Sequence, residues 1–301
     1  MPIYAISFGV VTMFGMFFNF SVIFITFRTK ALRGSVNILL AFYSLCEIVN
    51  LCGNFLTIFS AFSGQYFVSF KTAVYFVVIP LTSSGCAVNL MVFTGIERLF
   101  AVLFPLKKLK KTYIFAIVLM VNMVQIIASS LIYLNGYDSQ MNSLETIDNY
   151  FLIIGRIFKS SHWATNVQLE GTFCVFFSVI LYALIAVAVQ CRKVPSNSNS
   201  TQFNNRIFRS LFAIIFANFG GYLFACSVAL IYKLLNINES NAIVLWHSSQ
   251  IVGILCHISA SSSGLILYLT SSEYRAAFQK EFSFLFRLFS NSSSSVVVPQ
   301  H

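Results

Sequence analysis

Apolar positions along this chain come in long unbroken runs, without the polar interruptions that a half-buried helix or strand shows. Seven runs cover about 3–27, 37–60, 72–96, 112–135, 171–190, 210–232 and 240–270, and apart from Glu47 none contains an Asp, Glu, Lys or Arg. About 20 mostly apolar residues cross the ~30 Å hydrocarbon core of a bilayer as a helix. A barrel strand needs only about 10, in an alternating pattern. The runs are longer than that and apolar on every face, so they predict seven transmembrane helices. Most connections are short, which makes successive helices antiparallel neighbours in a bundle.

Composition supports the same reading. Charged residues make up 9% of the 301, hydrophobic ones 57%, and mean hydropathy is +0.80. A soluble domain carries roughly 25% charged residues. A cytosolic enzyme, a disordered chain and a secreted disulfide scaffold are thereby excluded. Of the 19 Lys and Arg, all but Lys71, Arg156, Lys159 and Lys233 fall in the segments 28–36, 97–111, 191–209 and 271–301. The positive-inside rule puts these segments in the cytoplasm, with the N-terminus outside and the C-terminus inside. Anionic inner-leaflet lipid accounts for the net charge of +10 without any nucleic acid. Met1 nearly abuts the first run, leaving no room for a separate charged region and cleavage site. That run is expected to act as an uncleaved signal anchor.

Three domain-level segments follow: a seven-helix bundle over 1–271, a helix over 272–289 and a disordered tail over 290–301. In the helix, Phe278, Phe282, Leu285 and Phe289 form one apolar stripe among Arg275, Lys280 and Arg287. It is too charged to span, so it is expected to lie on the inner leaflet. The segment 194–205 is polar and flexible by composition. The longest outer loop, about 136–170, is mixed in charge and leaves open whether it forms a lid or a hairpin. All seven cysteines lie in or at the edge of a run, where small packing residues are expected. Asn238-Glu239-Ser240 is a glycosylation sequon on the outer side, whereas Asn199-Ser200-Thr201 falls inside and should stay bare.

The chemistry concentrates at the inner end of the third run, in Gly95-Ile96-Glu97-Arg98-Leu99-Phe100-Ala101-Val102-Leu103-Phe104-Pro105-Leu106. An Arg at a helix end inside lipid is costly to leave unpaired, and an adjacent carboxylate can hold it. This stretch resembles the acid-Arg-aromatic signature of rhodopsin-like G-protein-coupled receptors. The resemblance implies Glu97 as a lock and Arg98 as the switch facing a heterotrimeric G protein. It places Tyr182 of the fifth run and Tyr268 of the seventh around the same cleft. Asn19 and Glu47 match the family's first-helix Asn and second-helix acid in spacing. In the family these hydrogen-bond to each other and can bind sodium. Here the third-helix Ser is Ala87 and the seventh-helix Asn is missing, so Glu47 is read as a structural or water-linked acid.

Other landmarks depart from the family. Cys174 replaces the fifth-helix Pro, and the sixth run has Asn218-Phe219-Gly220-Gly221-Tyr222 in place of a Trp and a kink Pro. The seventh run ends Gly264-Leu265-Ile266-Leu267-Tyr268 without Asn-Pro. The start of helix eight follows as Ser272-Glu273-Tyr274-Arg275-Ala276-Ala277-Phe278, one residue closer to Tyr268 than usual. The outer disulfide is absent at both ends, with Ala73 at the third-helix position. Ile79-Pro80-Leu81, the Gly-Ile-acid-Arg-Leu phrase and the Ser-Glu-Tyr-Arg phrase are most similar to the Srsx serpentine chemoreceptors of nematodes. That resemblance implies a multi-pass plasma-membrane protein, chemosensory and sited in sensory-neuron cilia. It also implies arrestin as a partner, through Ser290 and Ser292 to Ser295.

No residue names a ligand. Pro80 stands where amine receptors carry an Asp. The outer half is apolar and aromatic, with scattered Ser84, Tyr222, His247 and Gln250, which suits a small, mostly apolar molecule. An endogenous peptide stays open as an alternative ligand, and a small transporter or channel as a lesser one. No Lys lies between 234 and 279, so a retinal Schiff base is excluded. His162, His247 and His257 have no metal-ligand spacing, and no paired constellation suggests an enzyme. No cofactor is expected.

Overall fold

Every predicted run that falls within the described residues is helical. The computed structural model describes residues 2–64, 67–104, 111–137, 144–146, 162–191 and 242–283, with isolated helical positions at 213, 216, 217, 220, 221 and 224 in the sixth run. The helices are α1 (Pro2–Arg28), α2 (Ser35–Leu51), α3 (Asn54–Ser63), α4 (Phe70–Leu103), α5 (Lys111–Tyr137), α6 (His162–Cys191), α7 (Ala242–Thr270) and α8 (Ser272–Glu281). Among the described residues, four stretches are long and apolar enough to cross a membrane: Ile3–Arg28, Ser35–Ser63, Val78–Leu103 and His247–Thr270. Phe115–Ile127 and Phe173–Ala188 are shorter apolar helices.

Burial is inverted relative to a soluble protein. On α1 the polar Thr12, Asn19, Ser21 and Thr26 are buried, while Met13, Phe14, Phe20 and Phe24 point outward. On α7, Gln250, His257, Ser261 and Ser263 are buried, while Ile251, Ile258, Leu265 and Leu269 are exposed. Lipid is as apolar as Leu, so outward Phe and Leu cost nothing there, whereas polar side chains must find partners inside the bundle. α4 is the central element and packs on α2, α5 and α6, while α1 packs on α2 and α7. The core sits toward the end where α1, α4 and α7 finish, called here the basic end. It gathers Val22, Ile25, Leu39, Tyr43, Leu90, Leu181, Tyr182, Ile185, Leu267 and Phe278.

The structure amends the sequence reading in two places. The second run is two helices. At Gly53 and Phe55 the backbone donors reach Asn50 and Cys52, three residues back, so one tightened turn separates α2 from α3. Pro80, by contrast, stays inside α4 without breaking it. The all-α architecture carries one small addition, an antiparallel pairing of β1 (Phe67–Ser69) with β2 (Leu144–Thr146), in register Val68 to Glu145. The described part of the long loop therefore pairs with the connection between α3 and α4, not with itself.

α8 follows α7 after a single residue. Ser271 Oγ accepts from the Tyr274 N–H at 3.4 Å and caps the new helix. Arg275 turns back to donate to the carbonyls of Tyr268 (3.0 Å) and Leu269, closing the end of α7. The apolar stripe expected to face lipid begins instead by packing on protein. Phe278 meets Tyr268 edge-on at 5.6 Å, and Phe282 lies 6.2 Å from Phe17 and 6.3 Å from Phe24. Leu285 and Phe289 lie outside the described residues.

Candidate functional site

α4 runs unbroken through Glu97 and Arg98 and stops at Leu103, two residues before Pro105. A proline disfavours helical geometry in the residue before it, which fixes this end. Glu97 and Arg98 are half-buried. Ser35, in the first turn of α2, donates to Glu97 Oε1 at 2.5 Å. Glu97 Oε2 and Arg98 Nε are buried and have no hydrogen-bond partner among the described residues. The lock implied by the resemblance is therefore not closed: no ion pair joins Glu97 to Arg98. In this arrangement the carboxylate is held from α2 by Ser35.

Tyr182 comes from α6 and is almost fully buried. Its ring lies against Gly95, one turn before Arg98; a Cβ there would stand 2.9 Å from Tyr182 Cε2. Its hydroxyl is buried with no partner among the described residues. Arg98 lies in electrostatic range of Glu97, Tyr182 and Tyr274. Tyr274 shares a 3.0 Å hydrogen bond with Thr26 of α1. Burial pushes its phenol well above the usual range, so it stays protonated and able to donate. Tyr268, the other predicted member, is half-buried against Phe278 of α8.

The mid-bundle pair is buried but not joined as the resemblance implied. Asn19 Nδ2 donates to the Ala260 carbonyl of α7 at 3.3 Å. Glu47 Oε2 instead accepts from Asn50 at 3.2 Å, and Tyr43 lies beside the same carboxyl. The acid is thus satisfied from its own helix, and Asn19 ties α1 to α7. Nearby, Asn54 donates to Thr12 at 2.9 Å and Ser261 to the Val11 carbonyl at 3.3 Å.

At the opposite end the described ligand candidates come from two helices. Pro80 is buried and Ser84 half-buried on α4. Gln250 is buried on α7, while His247 is exposed and hydrogen-bonds through Nδ1 to the Tyr4 hydroxyl at 2.8 Å. Tyr222 and Asn238 lie outside the described residues. Sequence reasoning missed Ser35 and undervalued Tyr274. A Ser in a helix first turn carries no signal of its own, since it is favoured there for local reasons. Tyr274 stood in a quoted phrase, but only the fold brings it between Thr26 and Arg98.

The geometry can be set beside known proteins. A family model described as serpentine type 7TM GPCR chemoreceptor Srsx matches residues 12–282. Among solved structures, squid rhodopsin superposes with a TM-score of 0.68 over 99% of this chain and 92% of its own, at 14% identity. At that identity the likeness is one of fold. No curated protein matches in sequence.

Proposed function

The chain belongs to the Srsx family of serpentine chemoreceptors, and from that premise we propose that it senses a small, mostly apolar chemical cue and relays it through Arg98. It is a G-protein-coupled receptor and a multi-pass membrane protein, not an enzyme. On this reading the N-terminus is outside and the basic end faces the cytoplasm, with residues 1–271 as receptor, 272–289 as an inner-leaflet helix and 290–301 as an arrestin-recruiting tail. The plasma membrane of sensory cilia is the proposed site of action.

One observation carries the assignment of the switch. At the basic end, Arg98 Nε and the Tyr182 hydroxyl are both buried without partners among the described residues, on two different helices that meet at Gly95. Unspent polar atoms in a membrane interior are expensive and mark function. They are available to a partner that enters when the bundle opens. A ligand favours that open state only by binding it better than the closed one.

The test is Arg98→Ala in cells that report G-protein activation. Pools of volatile and small soluble apolar compounds are screened on the wild type. The variant is expected to reach the surface in normal amounts and to lose the response to every active pool. A full response from Arg98→Ala rejects the switch.

A further inference from the structure

We infer that Ser35 is a positioning residue that holds the Glu97 carboxylate turned toward α2 and away from Arg98, and so biases the receptor toward the state in which Arg98 is free. The inference rests on the reading of Arg98 as the G-protein-facing group.

The Glu97 carboxylate has Ser35 on one side and Arg98 on the other, and the hydrogen bond it makes sets which way it points. Ser35 holds one oxygen at 2.5 Å, and Oε2 has no partner among the described residues. Arg98, next in the chain, has not paired with it, and its Nε is buried without a partner among the described residues. A bond made in one arrangement and not in the other favours the arrangement that makes it.

The hydroxyl is presented on a fixed stub. Leu32 and Val36, on either side of Ser35, are buried in the core. Arg33 donates through Nε and Nη2 to the Phe27 carbonyl at 3.1 and 2.7 Å, which anchors the connection to the end of α1. The Gly34 carbonyl accepts from Ile38 and starts α2. Ser35 therefore needs little reordering to hold Glu97, whereas Arg98 must fold a long side chain sideways along its own helix.

The experiment measures ligand-independent binding of a non-hydrolysable GTP analogue. Membranes come from cells that express the full chain at matched surface levels with a panel of Gα subunits. Ser35→Ala is expected to lower basal exchange about tenfold, the effect of losing a hydrogen bond to a charged group from one of two states. Ser35→Thr, which keeps the hydroxyl, restores it. In a Glu97→Gln background Ser35→Ala has no further effect, because no charge remains for Arg98 to recapture. Unchanged or raised exchange in Ser35→Ala overturns the inference, as does an equal drop in the Glu97→Gln background, which would mark Ser35 as merely structural. Arg98→Ala is run alongside: exchange equal to wild type in that variant would remove the switch reading itself, whatever Ser35 does.

Discussion

At the scale of single residues, a close backbone contact between α1 and α7 depends on a missing side chain. A Cβ on Gly264 would stand 2.6 Å from the Phe18 carbonyl oxygen and 2.9 Å from its carbon. Backbone cannot swing aside as a side chain tip can, so α1 and α7 must separate to admit even a methyl group. Small residues drive such close approaches in membranes, where packing replaces the hydrophobic effect. Gly264→Ala is expected to destabilise the receptor by about 1–3 kcal/mol. A melting curve of detergent-solubilised protein should show a lower Tm, and cell-surface labelling should show less receptor. Gly9→Ala on α1 serves as control, because its nearest neighbour would be Ile58 Cδ1 at 3.9 Å, an ordinary contact. If both variants melt together, the close approach at Phe18 is not limiting. Glu97 and Arg98 were legible in sequence, because charge in an apolar run has few innocent explanations. Ser35 was not legible, because its meaning comes from α4, 62 residues away.

At the scale of elements, α8 shows how a helix too short and too charged to stand alone is held. Buried and exposed ties contribute unequally. The Tyr274–Thr26 hydrogen bond lies fully inside, and removing one hydroxyl leaves the other buried and unpaired. Tyr274→Phe is expected to cost about 1–3 kcal/mol and lower Tm. The Arg28–Glu281 pair spans 3.6 Å, but Arg28 is 67% exposed. Such pairs are worth about 0–1 kcal/mol, so Glu281→Ala should melt nearly with the wild type. The reverse order of the two Tm shifts would mean that α8 is held by charge. The amphipathic stripe of α8 was legible from its spacing. That its first two Phe dock on α1 and α7 was not, since spacing says which face is apolar but not whether lipid or protein covers it.

At the scale of the whole molecule, the distribution of Lys and Arg sets a testable orientation. A C-terminal epitope tag should be reachable by antibody only after permeabilisation. Glycosidase should lower the apparent mass of the wild type but not of Asn238→Gln. A tag exposed on intact cells overturns the orientation. In the native animal the tagged chain should collect in sensory cilia. Confinement to gut, muscle or internal neurons would point to an endogenous ligand and put peptides first in the screen.

The sequence by itself determined that the chain lives in lipid, where its spans fall, which family it resembles and where its charged pair sits. Those properties are local: a run of apolar residues is a span wherever it is placed, and Glu97-Arg98 is a motif before it is a contact. Tertiary structure alone decided the partners. It gave the Glu97 carboxylate to Ser35 and not to Arg98, Asn19 to Ala260 and not to Glu47, and Tyr274 to Thr26. The physical reason is that a buried polar group takes the first donor or acceptor that packing brings within about 3 Å. Which one arrives first depends on how close neighbouring helices can come, as at Gly95 and Gly264, and no reading of one segment at a time contains that distance.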